Sequence, residues 1–481
     1  MTTAVLLPGA LVAAAVLARL VPERLVGAVV GLAAAGLAVS LALLVAGWWS
    51  APDPLAAWFY GISALLAALS LWYAVPYLRR EAAAHHWQPS RVRAFAAGLL
   101  LFVASLLALA LLTNFLGLWV AVEVATLSSV FLTGVSEDRR ATEAAWKYLV
   151  VTETGGFAAL VGTVLVLSGL GIPLDRWSST FPPPLPAGTA VGTSVFVGGL
   201  LALVGYATKA GLAPFHTWLP DAHGEAPAPV SALLSGLKLA GAALIMWRLF
   251  HLVAPTAAGS AIREGFILLG LASLVVAAAF AVTQTDLKRL WAYSSIEHLG
   301  LVSLGMGFGG IALVGAMFHI WTHGVNKALL FHNAGTVRLL YGTSDSRTGA
   351  RGLLLRTPWT GGLLALGAAS IVGLPPFAPF WSEWLILVGG FQHPAYRLAD
   401  VVALGLLVVV FAGVAWRIPA WLWTPGPVEA RTTARPARLS EPFALLLPGF
   451  VLAAFVLGGI GVPVVAAGLW QHLVQELLGS A

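Results

Sequence analysis

YATKAGLAPFHTWLPDAHGEAPAPVSALLSG, residues Tyr206–Gly236, decides how the chain is read. An apolar run carries one lysine, Lys209, in its interior, meets Pro214 five residues later, and resumes as a second apolar run beyond Pro229. Proline lacks the backbone N–H and clashes with the preceding turn, so this helix is expected to be interrupted near residues 213–220. Interrupted helices at membrane depth persist where they line a polar cavity. Burial disfavours the charge of a lysine beside such a break, and an approaching carboxylate restores it, which is the requirement for a switchable proton carrier. A lysine snorkelling to the interface is the competing reading, and the interior position of Lys209 argues against it.

The rest of the chain fits the same solvent. Of 481 residues, 59% are hydrophobic and 10% charged, and the mean hydropathy is +0.89. Soluble domains carry about 25% charged residues, so a soluble enzyme, a disordered tail and a nucleic-acid binder are excluded. The chain has no cysteine, which rules out disulfides, cysteine-ligated zinc, iron–sulfur clusters and thiolate catalysis within it. Apolar stretches long enough to cross about 30 Å of hydrocarbon have cores near 4–20, 25–48, 55–77, 94–113, 115–134, 144–168, 190–212, 228–250, 264–282, 288–307, 311–337, 358–388, 401–418 and 443–469. The expected fold is therefore an all-α polytopic membrane protein of about fourteen spans, with no alternation that suggests a barrel.

Charge tests that register. Eighteen of the 26 Lys and Arg fall in odd-numbered loops, and only Arg176, Arg248, Arg263 and Arg397 in even-numbered ones. Lys147, Lys209, Lys238 and Lys327 fall within spans or at their edges. The bias places odd loops in the cytoplasm and both termini outside, in a cytoplasmic (inner) membrane. It also makes the pI near 9.8 a topology signal rather than a nucleic-acid one. No Lys or Arg precedes Arg19, so the first apolar run reads as an uncleaved span rather than a secretory signal.

Charges inside spans cost about 2.5–3.5 kcal/mol each on insertion scales and therefore carry information. They are Glu123, Lys209, Lys238, His319, His323, Lys327 and Glu383, with Lys147, Glu153, Glu297 and His298 nearer span edges. Glu123 reads either as a silent packing carboxylate or as a group on a proton route. Glu143 and Lys147 stand four apart at a helix start, the spacing of an ordinary ion pair. His319, His323 and Lys327 recur every four residues on one helical face, an arrangement suited to a proton relay. Interhelical hydrogen bonding competes with that reading. So does haem or metal ligation, but the local sequence supplies no carboxylate to complete a zinc set. GLPPFAPFWSEWLIL, Gly373–Leu387, offers a second broken helix at Pro375, Pro376 and Pro379, followed by Glu383. Two broken spans five apart are the trace of an inverted repeat, and Lys209 precedes its break while Glu383 follows its own.

At these residues the sequence resembles the proton-translocating antiporter-like subunits of respiratory complex I and their relatives in sodium/proton antiporter complexes and membrane-bound hydrogenases. The Tyr206–Gly236 stretch carries the likeness together with TDLKRLWAYSSIEHLGLVSLG, FHIWTHGVNKALLFHNAGTV, the second break, LGLWVAVEVATL and EAAWKY. WVAVEVATL, EAAWKY, YSSIEHLGL and SEWLIL are most similar to hydrogenase-4 component F. The resemblance implies N-terminal spans over 1–93, inverted five-helix units over 94–253 and 254–418, and a cytoplasmic loop with a last span over 419–481. It implies that Glu123 partners Lys209, that His319, His323 and Lys327 form a central relay, and that Glu383 lies near the exit. Many relatives carry the eighth-span lysine at the place of Ala240; here Lys238 is two residues earlier, about 200° around a regular helix. Also implied are partner subunits carrying any nickel–iron, iron–sulfur or flavin centres, with no cofactor in this chain. A sodium/proton antiporter subunit, a complex I subunit proper and the proton-conducting partner of a bicarbonate-uptake complex are the other machines this pattern serves, and an integral haem or quinone oxidoreductase is a further class.

Overall fold

A computed structural model describes residues 2–47, 51–85, 87–173, 185–186, 188–424, 439–458 and 474. The helices are α1 (Thr2–Leu20), α2 (Glu23–Val45), α3 (Pro54–Ala84), α4 (Pro89–Leu111), α5 (Phe115–Thr133), α6 (Arg139–Gly169), α7 (Thr193–Ala210) and α8 (Leu219–Glu225). There follow α9 (Ala228–Val253), α10 (Ala257–Ala281), α11 (Leu287–Phe308), α12 (Gly310–Tyr341), α13 (Pro358–Ile371), α14 (Ala378–Gln392), α15 (Arg397–Arg417) and α16 (Phe443–Leu457). No strand occurs among the described residues. Short polar residues between the apolar runs set where helices begin. The side chains of Asp53, Asn114, Asp138 and Asp286 each accept a backbone N–H three residues on, satisfying an otherwise orphaned donor.

Each predicted core lies on a helix, with 358–388 divided between α13 and α14; the last is described only to Gly458, and most of the 419–441 loop lies outside the described residues. Among the described residues, nine helices are long and apolar enough to cross a membrane on length and composition. Neither α11 nor α12 is among them, because these helices carry the polar groups. Their place in the bundle permits it: every residue of α12 from Ala312 to Val337 is buried in protein rather than lipid. The outer surface is apolar instead, with Phe131 83% and Trp416 81% exposed. This is a multi-pass membrane fold.

Contacts between loops sort them into two faces, and the sorting matches the charge tally. Asp221 reaches Arg289 at 2.8 Å and Lys147 at 3.2 Å, the Ser346 N–H donates to the Thr285 carbonyl at 2.9 Å, and Arg417 to the Gln284 carbonyl at 2.7 Å, all on the odd-loop face. On the even-loop face Arg248 pairs with Asp53 at 2.9 Å, and the Leu185 N–H donates to the Leu252 carbonyl at 3.1 Å.

The first break begins earlier than proline alone predicts. Helix α7 stops at Ala210 because Gly211 takes a left-handed conformation (φ +73°) that caps it, and α8 resumes only at Leu219. The second break runs from Val372 to Phe377, with Gly373 at φ +71° and Pro379 seated in the first turn of α14. Pro214, Pro375 and Pro376 lie in the interruptions themselves, and the Ala213–Pro214 and Pro375–Pro376 bonds are cis. The breaks fall on the seventh and twelfth spans, and an odd number of crossings between equivalents turns one unit upside down relative to the other.

Candidate functional site

Lys209 sits at the C-terminal end of α7, where the helix dipole favours a cation. Its side chain is wholly buried, and the ammonium donates to Glu123 Oε2 of α5 at 2.6 Å, to Thr126 Oγ1 at 3.3 Å and to Glu153 Oε1 of α6 at 3.4 Å. Glu123 Oε1 is buried without a hydrogen-bond partner. The pair is pressed against Gly156 of α6, where any Cβ would strike both the carboxylate and the ammonium. Nearby, Gly162 and Gly205 bring the α6 and α7 backbones into direct contact, which fixes the depth at which Lys209 is presented.

Breaking α7 frees backbone carbonyls, and the site uses them. Trp218 Nε1 donates to the Thr208 carbonyl at 3.1 Å and Lys238 Nζ to the Lys209 carbonyl at 3.2 Å. The Lys238 ammonium also lies 4.6 Å from the Trp218 ring centroid and 5.1 Å from that of Tyr148. The phase difficulty at Lys238 has a local cause: Leu234–Lys238 is π-helical, so a regular helix no longer describes which way residue 238 faces. Lys238 is thereby brought directly to the first break.

The two units meet where Gly236 of α9 and Gly324 of α12 pack backbone against backbone. Beside that contact Ser235 Oγ and Ser295 Oγ share a hydrogen bond of 2.7 Å between α9 and α11. One turn before Ser295, the Trp291 carbonyl accepts from Lys327 Nζ at 2.8 Å.

Beyond Lys327 the chemistry changes to imidazole and carboxyl. His298 Nδ1 and His319 Nε2 are hydrogen-bonded at 2.9 Å, and His319 Nδ1 meets Ser382 Oγ of α14 at 2.9 Å. Glu383 Oε1 lies 4.0 Å from His298 Nδ1, Glu297 Oε2 lies 3.9 Å from His298 Nε2, and the His323 ring centroid is 5.3 Å from that of His298. With His298 donating, His319 Nδ1–H donates to Ser382, whose hydroxyl donates to the Pro379 carbonyl at 2.9 Å. The reversed tautomers are self-consistent too once Ser382 turns from the Pro379 carbonyl to His319, so the geometry admits either sense of donation. Glu383 rests against Gly373, as Glu123 rests against Gly156.

The structure brings Glu123, Lys209 and Lys238 together in one unit, and His319, His323 and Glu383 around His298 in the other, with Lys327 between. Glu143 and Lys147 pair at 2.7 Å but are 57% and 49% exposed, on the odd-loop face outside the buried set. Sequence reasoning ranked Glu153 and Glu297 too low and passed over Thr126, Ser235, Ser295, Ser382, His223 and Asp400. His223, within the decisive stretch, is fully buried with both ring nitrogens unpartnered. Asp400 is likewise buried with both oxygens unpartnered in the first turn of α15, and an acidic residue heading a long apolar run was the signal. The hydroxyls offer no such signal, because serine and threonine are common in membrane helices.

The profile of the family described as NADH:quinone oxidoreductase/Mrp antiporter, TM matches residues 112–411. The chain is 37% identical over 314 residues to the hydrogenase-4 component F homolog of Methylacidiphilum infernorum (isolate V4), a match covering 63% of this chain and 64% of that protein. It is 29% identical over 439 residues to the NADH-quinone oxidoreductase subunit N of Desulforudis audaxviator (strain MP104C), covering 88% and 82%. In fold it superposes on a chain of the Mrp complex from Dietzia sp. DQ12-45-1b with a TM-score of 0.78 at 20% identity, covering 99% and 96% of the two chains. The chain belongs to the NADH:quinone oxidoreductase/Mrp antiporter transmembrane family.

Proposed function

We propose that this chain is the proton-translocating membrane subunit of a multisubunit, redox-driven complex of the hydrogenase-4 or formate hydrogenlyase-like type. The observation that carries the reading is a buried series of ionisable groups and hydroxyls running from Glu123 and Lys209 to Glu383 through both broken-helix units. The hydrogenase relative supports that machine over the others, and partner subunits hold the redox centres.

The Lys209 ammonium is stable while Glu123 lies beside it. Drawing the pair apart leaves an uncompensated buried charge, and the proton moves toward Lys238. It then crosses the Ser235–Ser295 junction to Lys327, enters the histidines, and leaves through Glu383 toward the even-loop, outer face. Buried polar atoms without protein partners, Glu123 Oε1, His223, His298 Nε2, His323 Nε2 and Asn326 Oδ1, mark places where water completes the path. Shifting the buried pair by about two pKa units, at about 1.4 kcal/mol each, supplies the same order of energy as moving one charge through 100 mV, about 2.3 kcal/mol.

The test is proton pumping by the assembled complex in proteoliposomes, in sodium-free buffer, with Lys209→Ala and Glu123→Ala. The expected result is electron transfer without proton uptake. Unchanged protons per electron in both variants overturns the reading, and pumping that requires sodium favours an antiporter subunit.

A further inference from the structure

We propose that His298, His319 and Glu383 form a binding site for one transition-metal dication, with zinc the best match. One ligand atom from each lies within 4.8 Å of the others. The donors come from three helices, α11, α12 and α14, which is why helix-local spacing shows no ligand set. His298 Nδ1 and His319 Nε2 are 2.9 Å apart and Glu383 Oε1 is 4.0 Å from the former. Tetrahedral zinc with bonds of about 2.0–2.2 Å separates its ligand atoms by roughly 3.3–3.5 Å. The imidazoles therefore open by about half an ångström, and Glu383 closes by about half an ångström on His298 and by up to about 1.5 Å on His319.

Three further features fit a metal. Ser382 holds the other nitrogen of His319 at 2.9 Å, the outer hydrogen bond that orients a ligating imidazole. Glu297 stands 3.9 Å from the far nitrogen of His298, so two carboxylates flank the position and balance a dication. Two imidazoles with one carboxylate suit zinc and its neighbours, whereas sodium, magnesium and calcium prefer all-oxygen sets. On the even-loop face a cavity of about 460 Å³ is lined by His251, Arg263, Gly389, Gln392 and His393. Gly389 lies six residues, about 9 Å along α14, from Glu383.

A metal here takes the nitrogen lone pairs through which His298 and His319 exchange a proton, and so halts transfer. Binding rests on the donor geometry alone; the block on transfer rests on the function proposed above.

The experiment titrates the metal-stripped full chain with zinc chloride in detergent and records zinc X-ray absorption, with pumping by the complex measured separately. One zinc per chain is expected, bound by two imidazole nitrogens and a carboxylate oxygen at about 2.0–2.2 Å. Affinity falls at least a hundredfold in His298→Asn and His319→Asn, and about 10–100-fold in Ser382→Ala. It is unchanged in His85→Gln, a surface histidine on the odd-loop face. No zinc bound at micromolar concentration, a shell without two imidazoles, or binding that survives both histidine substitutions overturns the site. Should the variants fail to fold, the wild-type spectrum decides alone. Zinc bound as described with undiminished pumping upholds the site and overturns the assignment of this cluster to the proton route.

Discussion

Around the first broken helix an ammonium meets one carboxylate at 2.6 Å and a second, Glu153, at 3.4 Å. Around the second, three imidazoles and two carboxyl groups lie within a few ångströms, with His298 and His319 hydrogen-bonded to each other and His319 to Ser382. The inverted units thus put different chemistry at equivalent breaks. A tight buried ion pair is a strong switch because breaking it exposes uncompensated charge, typically worth 3–5 kcal/mol. A cluster of groups that are stable when neutral is a conductor with alternative routes.

That contrast is broken most severely at Lys209. Lys209→Met is expected to reduce pumping at least about tenfold and to destabilise the chain by about 3–5 kcal/mol, read by dye quenching and by thermal unfolding in detergent. Lys209→Met with Glu123→Met recovers most of the stability and none of the pumping. Equal pumping loss from any single substitution in the second unit would erase the distinction between switch and conductor. Next, Gly156→Ala drives a methyl into the Glu123–Lys209 contact and is expected to cut pumping several-fold at unchanged electron transfer. In the second unit, His319→Asn alone lowers pumping only a few-fold, whereas His298→Asn with His319→Asn lowers it by more than the product of the singles. Ser235→Ala and Ser295→Ala, tested between the units, each slow proton transfer a few-fold and leave stability within about 1 kcal/mol.

The smallest effect serves as the control outside both units. The Ala141 backbone N–H donates to the Asp138 carboxylate at 2.9 Å at the start of α6 and holds its pKa below the usual value. A lowered folded-state pKa contributes stability above the unfolded value, near 3.9, and loses it as pH falls through the lowered one. Asp138→Ala is therefore expected to cost about 1 kcal/mol at pH 7, with the difference shrinking below about pH 4 and pumping untouched. A pumping defect here would show that stability alone accounts for part of the other losses.

Much of this was legible from residues. The spans, their two-faced loops and both breaks follow from apolar length, basic residues and proline. Glu123, Lys209 and Glu383 stood out because a charge in an apolar helix is expensive. Glu143 and Lys147 form the ion pair their spacing suggests, but four-residue spacing is the same on a surface as in a core, and only the structure shows the pair to be exposed. The phase of Lys238 was unreadable because regular 3.6-residue geometry fails across the π-helical turn at Leu234–Lys238. Ser235, Ser295 and Ser382 stayed silent because a hydroxyl costs little to insert wherever it points.

By itself the sequence determined the solvent, where the apolar runs and their breaks fall, and which expensive side chains had to be buried, since transfer energies depend on residue type along one strand of chain. Only the tertiary structure decided who meets whom: Glu383 with His298 and His319, Glu153 with the Lys209 pair, and the serine bridge between the units. Those partners lie on separate helices dozens of residues apart. A hydrogen bond is set by distances of tenths of an ångström, which glycine contacts such as Gly156 and Gly236–Gly324 fix through packing rather than through any local pattern.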